Sequence, residues 1–218
     1  MCISVFFLWF CVKRVVVSFV PAKSRKSKTM AASRPSVALL VETSNRYSRE
    51  LLQGIRNYIR KHGDWALHLT EQGRGGKPPQ WLANWRGQGI IARVENREIE
   101  RAVRRVGAPA VNVSASGLAA DWPAVISDSE GVARLAAEHL IERGIQHFGY
   151  CGDSRFKWSA SHGDSFAAFL AERGFRCSKF RSLKSDHLDW APEQRKLGDW
   201  LTQLPKPCGI MACYDIRG

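Results

Sequence analysis

The sequence lacks the motifs by which most catalytic and cofactor sites are recognised. It contains no GxSxG nucleophile elbow, and the glycines of 73–77 fit neither GxxxxGK[ST] nor a GxGxxG placed between a strand and a helix. It also lacks HExxH and CxxC, and its six cysteines follow the spacing of neither a zinc site nor a secreted disulfide framework. We therefore predict that the protein is not an enzyme and has no catalytic residue, no metal site and no cofactor. The cysteines are interpreted as reduced thiols, which indicates a reducing compartment.

Acidic residues are absent from the first 30 positions, which carry six of the basic residues behind the formal net charge of +13. Because nearly half of the basic excess lies in this segment, the charge alone does not predict nucleic-acid binding. Residues 1–33 form an apolar and basic leader, in which Lys13 and Arg14 interrupt the apolar run and fit neither a signal peptide nor a spanning helix. Three interpretations stay open: a start codon assigned too early, with Met30 as the natural start, an interfacial or membrane anchor, and an export signal.

From residue 34 onward, short apolar runs alternate with segments of helical periodicity. Strands are predicted at 36–41, 65–69, 89–92, 110–113, 124–127, 147–151, 177–180 and 209–213. Helices are predicted through 51–59, stopping near Gly63, and at 81–85, 96–106, 130–143, 161–173 and 193–204. This alternation predicts an α/β fold with parallel sheets and right-handed crossovers. We divide it into a first lobe, 34–127, and a second lobe, 128–218, which is expected to be partial because no helix follows the last strand.

Polar side chains follow the predicted strands, at the edge where ligands bind in open parallel sheets. The candidates after the strands are Asn45, Arg46, Tyr47, Arg49, Arg93, Glu95, Asp128, Asp153, Trp158, Asp215 and Arg217. Carboxylate, amide and guanidinium groups suit the hydroxyls of a sugar, and an aromatic ring suits its face. Asp128 lies two residues before Glu130, so it is equally well placed to cap a helix. The pattern favours a carbohydrate ligand.

Three consecutive segments resemble the sugar sensors of the LacI type. They are Asp128–Gly131, Ala136–Gly144 and Phe148–Gly152, which match the D-x-x-G, A-x-H-L-x-x-x-G and strand pattern at the domain crossover of that family. Four further segments resemble the XylR-type branch of these regulators. They are Tyr47–Gly54, Trp158 with Phe166, Leu197–Leu201 and Ala212–Gly218. The resemblance covers about residues 35–218.

The resemblance implies a two-lobe periplasmic-binding-protein-like fold that binds D-xylose between its lobes. It implies ligand contacts at Tyr47, Arg49, Arg93, Asp128, Trp158 and Asp215. The chain is then expected to be the sugar-sensing part of a cytoplasmic bacterial transcription regulator that acts as a homodimer. Operator DNA would be contacted only through an AraC-type helix-turn-helix domain, which this chain is expected to lack.

Two positions depart from the pattern that the resemblance implies. His162 stands where arginine is expected, and Tyr214 stands where asparagine or threonine is expected. Two other classes of function also stay open. An exported or membrane-anchored sugar-binding protein of a transporter would share the two lobes and account for the apolar leader. An enzyme such as a small hydrolase on the same sheet would have to act without a nucleophile motif.

Overall fold

The computed structural model describes residues 15–18, 34–71, 73, 76–180, 182 and 191–214. The chain divides into two compact units, one spanning Val16–Ile126 and the other built on Ser127–Gly218. Apart from residues 15–18, the predicted leader lies outside the described residues. No helix in the described part of the chain is both long and apolar enough to cross a membrane.

The first unit is built on a six-stranded sheet. Its strands, β1 to β6, are Val15–Ser18, Ser36–Leu40, Ala66–Leu69, Gly89–Ala92, Ala110–Asn112 and Ala124–Ser127. The connecting helices are α1, Arg46–His62, and α2, Arg97–Val106, with a short 3-10 helix at Gln80–Asn84. The strand order is β1-β6-β5-β4-β2-β3, and every pairing from β6 to β3 is parallel. The carboxyl ends of β2, β4 and β5 therefore lie side by side.

The core of the first unit forms where β2 and β4 pair. Val37 lies opposite Gly89 and Leu40 lies opposite Ala92, and residues 37–41 are all buried. An unbroken apolar run is expected here, because a central parallel strand is covered on both faces. The burial of this strand brings the polar residues after it to the edge of the sheet.

Helix α2 packs against this core through a narrow apolar stripe. Ile99, Ala102 and Val103 are buried at the spacing of one helix face. The side chain of Asn96 caps the first turn by accepting a hydrogen bond from the Ile99 amide at 2.9 Å. The helix ends at Gly107, whose φ of 72° is left-handed and therefore suits glycine.

The second unit is built on a three-stranded parallel sheet in the order β8-β7-β9. The strands are β7, His147–Cys151, β8, Cys177–Phe180, and β9, Cys208–Ala212. The helices are α3, Ser129–Ile141, α4, Lys157–Ala171, and α5, Ala191–Gln203. Parallel pairing in both units, with helices between the strands, confirms the predicted α/β fold class.

The central strand β7 sends alternate side chains to two separate apolar clusters. Phe148 and Tyr150 pack with buried residues of α3 and α4. Cys151 packs on the opposite face with Ile210, against which Trp200 of α5 also lies. The second unit therefore has three layers, with the sheet between α3 and α4 on one side and α5 on the other.

The start of α4 differs from the sequence expectation. The pattern places Trp158 in a loop and starts the helix at residue 161, whereas α4 begins at Lys157. Ser159 explains the earlier start, because it is buried and its Oγ accepts a hydrogen bond from the Asp153 amide at 2.8 Å. This contact ties the first turn of α4 to the end of β7.

The start of α1 also differs. The pattern places Tyr47 and Arg49 in the loop after β2, whereas both belong to the first turn of the helix. The side chain of Asn45 accepts a hydrogen bond from the Ser48 amide at 2.8 Å and so starts the helix immediately after the loop. Tyr47 and Arg49 are therefore held by helical backbone.

Replacing glycine with alanine is expected to have opposite effects on the free energy of unfolding at two helix positions. A Cβ on Gly163 in α4 would lie 2.5 Å from Cε1 of Tyr150, a buried ring whose hydroxyl donates to the Ser159 carbonyl at 2.6 Å. Because this ring is anchored, Gly163→Ala is expected to lower the free energy of unfolding by about 1–3 kcal/mol. Gly198 in α5 has nothing within 4 Å of such a Cβ, so Gly198→Ala should raise it by up to about 1 kcal/mol. Denaturant unfolding of both variants measures the difference, and equal gains would contradict the packing described here.

Candidate functional site

A polar cluster lies at the carboxyl ends of three neighbouring strands of the first unit. Glu42 follows β2, Arg93 and Glu95 follow β4, Ser114 follows β5, and Ser48 belongs to the first turn of α1. These five residues are called the Arg93 cluster. Their strands are adjacent in the sheet, so residues far apart in the chain meet at one edge.

Arg93 holds the cluster together. Its Nη1 donates to Oε1 of Glu42 at 2.8 Å and to Oγ of Ser48 at 3.1 Å, and its Nε donates to Oε1 of Glu95 at 3.0 Å. The same Glu95 oxygen accepts a hydrogen bond from Oγ of Ser114 at 2.8 Å. The side chains of Arg93, Glu42 and Glu95 are only 10%, 4% and 8% exposed, so their ion pairs are shielded from water.

The Arg93 cluster keeps unused hydrogen-bonding capacity. Among the described residues, Nη2 of Arg93 has no acceptor, and Oε2 of Glu42 and of Glu95 has no donor. A carboxylate oxygen accepts two hydrogen bonds and a guanidinium nitrogen donates, so the site offers both functions side by side. A molecule that carries several hydroxyl groups can use donors and acceptors of this kind together.

Tyr47 borders this cluster, whereas Arg49 does not. The ring of Tyr47 is 46% exposed, and its centroid lies 5.1 Å from Cζ of Arg93. Nη1 of Arg49 donates instead to the carbonyl oxygen of Ser44 at 3.0 Å. Of the three candidates from the first unit, the structure therefore brings Tyr47 and Arg93 together and leaves Arg49 apart.

Asp128 is the N-cap of α3. Its Oδ1 accepts a hydrogen bond from the Gly131 amide at 2.9 Å. A Cβ at position 131 would lie 2.6 Å from Oδ2, which explains the glycine of the D-x-x-G pattern. Oδ2 accepts no hydrogen bond within the described part of the chain, so capping leaves one carboxylate oxygen for another partner.

Four aromatic rings meet in the second unit at the start of α4. Phe156 stacks on Trp158 with centroids 5.4 Å apart, and His162 and Tyr214 approach the same indole edge-on at 5.7 and 5.8 Å. These four residues are called the Trp158 cluster. Nε1 of Trp158 and Nδ1 of His162 are buried and make no hydrogen bond to a described residue. Burial lowers the pKa of His162, so its imidazole is neutral at pH 7.

Asp153 connects the Trp158 cluster to the loop after β7. Its carboxylate is fully buried and accepts hydrogen bonds from Nε of Arg155 at 2.8 Å and from the hydroxyl of Tyr214 at 2.9 Å. A buried carboxylate needs such partners to offset the loss of its hydration. Asp153 therefore orients Arg155 and Tyr214. Asp215, the sixth candidate residue, lies outside the described residues.

Sequence reasoning missed Glu42 and Ser114. Glu42 is the first charged residue after the buried run of β2, and its position could have marked it in the way that Arg93 was marked after β4. Ser114 carries no such signal, because a serine after a strand is common in loops. Their partners, at positions 93 and 95, are distant in the sequence and meet them only through the sheet.

The described residues contain no group of three or more His, Cys, Asp or Glu side chains that could hold a metal ion. In the Arg93 cluster, the guanidinium already occupies the space between the two carboxylates. A cation there would have to displace Arg93. The cluster is therefore arranged for hydrogen bonding rather than for holding a cation.

The two parallel α/β units give the described part of the chain a periplasmic-binding-protein-like fold. Residues 137–218 match the family of periplasmic binding protein-like domains. Residues 36–127 match the XylR N-terminal domain. The chain is therefore similar to the xylose operon regulatory proteins, which confirms the resemblance noted in the sequence.

Individual relatives support this assignment. The xylose operon regulatory protein of Escherichia coli (strain K12) is 29% identical over 196 residues, which cover 86% of this chain and 50% of that protein. Its namesake in Haemophilus influenzae is 24% identical and covers 83% and 48%. The solved structure of the xylose-binding transcription activator XylR has a TM-score of 0.69 at 27% identity, over 84% of this chain and 47% of that one. The chain therefore spans about half the length of these relatives.

We expect two arginine substitutions to differ strongly in how much they lower the free energy of unfolding, because only one of them affects the Arg93 cluster. Arg93→Met keeps the side-chain volume but leaves two buried carboxylates without their cation, which should cost about 3 kcal/mol of unfolding free energy. Arg34→Met is the control, because its ion pair with Asp64 is exposed, so its loss should cost less than about 0.5 kcal/mol. Denaturant titration followed by circular dichroism measures both, and similar losses would show that the Arg93 network contributes little.

Proposed function

We propose that this chain is the sugar-sensing part of a bacterial transcription regulator whose effector is D-xylose. The observation that carries the proposal is the match of residues 36–127 to the XylR N-terminal domain. The relatives described above are named as xylose operon regulators, and one solved relative is named as xylose-binding. These names favour a regulator over the sugar-binding protein of a transporter.

We take the proposed ligand contacts from the resemblance. They are Tyr47, Arg49, Arg93, Asp128, Trp158 and Asp215, as the resemblance implies. Nη2 of Arg93 and Oδ2 of Asp128 supply a donor and an acceptor for sugar hydroxyls, and the exposed ring of Tyr47 supplies an apolar face. The buried position of Arg93 supports its role, since a fixed donor loses little side-chain entropy when a ligand binds.

Sugar binding would act on transcription through a conformational equilibrium. A ligand shifts an equilibrium between two conformations only if it binds one of them more tightly than the other. Moving the populations from about 1:99 to 99:1 requires about 10⁴-fold tighter binding to the favoured conformation. We assign DNA recognition to an AraC-type helix-turn-helix domain, which lies outside residues 34–218, and propose that the regulator works as a homodimer. Contact with operator DNA places it in the cytoplasm.

The proposed function predicts that D-xylose stabilises the chain. Binding to the folded state alone adds about 2.7 kcal/mol at a concentration of 100 Kd, which corresponds to several degrees in Tm. Thermal unfolding of the complete 218-residue chain with D-xylose, and calorimetric titration of the same sample, measure this. If no pentose or hexose at millimolar concentration raises Tm or releases heat, the chain is not a sugar sensor.

We expect Asp128→Asn to weaken D-xylose binding without lowering the free energy of unfolding. Asparagine caps a helix as well as aspartate does, so the free energy of unfolding should change by only a few tenths of a kcal/mol. A hydrogen bond to a charged acceptor contributes about 1.5–3 kcal/mol, so removing the charge should weaken D-xylose binding by about tenfold or more. Asp199→Asn, at an exposed position of α5, is the control and should leave both unchanged. Unaltered affinity in Asp128→Asn would assign Asp128 to capping alone.

A further inference from the structure

Two buried polar atoms on one face of α4 have no hydrogen-bond partner among the described residues. They are Nε1 of Trp158 and Nδ1 of His162, which lie one helical turn apart with ring centroids separated by 5.7 Å. Buried polar atoms are almost always paired in folded proteins. Two unpaired atoms on neighbouring side chains therefore point to a ligand group that completes both.

The chemistry of the two atoms restricts that group. The indole nitrogen of Trp158 can only donate, whereas Nδ1 of a neutral imidazole accepts a hydrogen bond when the proton is on Nε2. Burial lowers the pKa of His162, which keeps its ring in the neutral form. A hydroxyl oxygen can accept from the indole while its own hydrogen is donated to the imidazole. A carboxylate has no hydrogen to donate and an ammonium has no lone pair, so neither satisfies both atoms.

The other polar groups of the Trp158 cluster are already engaged. The hydroxyl of Tyr214 donates to Oδ2 of Asp153 at 2.9 Å, so Tyr214 presents only its ring edge to the indole. Phe156 stacks on Trp158 at an interplanar angle of 20° and holds its orientation. Within this cluster, Trp158 and His162 therefore carry the hydrogen-bonding capacity that is available to a ligand.

We propose that Trp158 and His162 together bind one hydroxyl group of the effector sugar, and that His162 determines which sugar this chain prefers. The proposal rests on the proposed sugar-sensing function and extends it to a single pair of atoms. It implies that the two side chains act jointly, because one hydroxyl links them. A sugar with the opposite configuration at that carbon loses both hydrogen bonds at once.

Calorimetric titration of the 218-residue chain and its variants tests the pair. His162→Leu removes Nδ1 at similar volume, Trp158→Phe removes the N–H and keeps a ring, and His162→Asn keeps a polar atom close to the position of Nδ1. We expect His162→Leu and Trp158→Phe each to weaken D-xylose binding by about tenfold, and His162→Asn by less than about threefold. His147→Leu, at the exposed start of β7, is the control and should bind as the unmodified chain does.

Epimers of D-xylose identify the hydroxyl. D-lyxose, D-ribose and L-arabinose differ from D-xylose at C2, C3 and C4 respectively. We expect one of them to bind the unmodified chain more weakly than D-xylose and to bind His162→Leu about as well as D-xylose does. Because both variants lose the same hydroxyl contact, the double variant should weaken binding less than the product of the two single effects.

The outcomes separate this proposal from the function on which it rests. If the unmodified chain binds no sugar, the sensor function fails and the proposal fails with it. If the chain binds D-xylose while His162→Leu and Trp158→Phe bind it equally tightly, the sensor function stands and the proposal is overturned. If circular dichroism shows His162→Leu to be unfolded, Trp158→Phe decides in the same way. If the effects of His162→Leu and Trp158→Phe on the Kd for D-xylose multiply fully in the double variant, the two side chains do not share one hydroxyl, and the proposal is overturned.

Discussion

The ion pairs of Arg93 with Glu42 and Glu95 are the interaction on which the edge of the first unit depends. A parallel sheet brings the ends of β2, β4 and β5 together, and two of these ends carry carboxylates that the fold buries. Burying two carboxylates side by side is unfavourable unless a cation lies between them. Arg93 meets this requirement with Nη1 and Nε, and so its Nη2 is held in a fixed position at the edge of the sheet. The same contact therefore stabilises the sheet and orients a donor.

The second unit distributes its polar groups in the opposite way. Its buried carboxylate, Asp153, is occupied by Arg155 and Tyr214, whereas the neutral groups of Trp158 and His162 are unpaired among the described residues. The Arg93 cluster thus offers charged groups, whereas the Trp158 cluster offers neutral ones. Neutral donors and acceptors contribute less per hydrogen bond than charged groups, yet a buried pair left unsatisfied is costly.

The strands were predictable from sequence, whereas the starts of two helices and part of the site were not. The predicted bounds of β4, β7 and β8 agree with the structure, and in β4 and β7 an apolar run ends where the strand ends. The start of α4 depends on Ser159 reaching the Asp153 amide, a contact that periodicity does not encode. The candidate residue Arg93 was found after its strand, but its partner Glu42 is 51 positions away. That contact can be predicted only when the order of the strands in the sheet is known.

The two departures from the XylR-type pattern meet at a single side chain. His162 is on α4 and Tyr214 follows β9, yet both approach the indole of Trp158, at 5.7 and 5.8 Å. Because the hydroxyl of Tyr214 donates to Asp153, the ring of Tyr214 is held beside Trp158. A neutral imidazole fits beside a buried indole at lower desolvation cost than a guanidinium would. The two departures are therefore coupled through their contacts with the ring of Trp158.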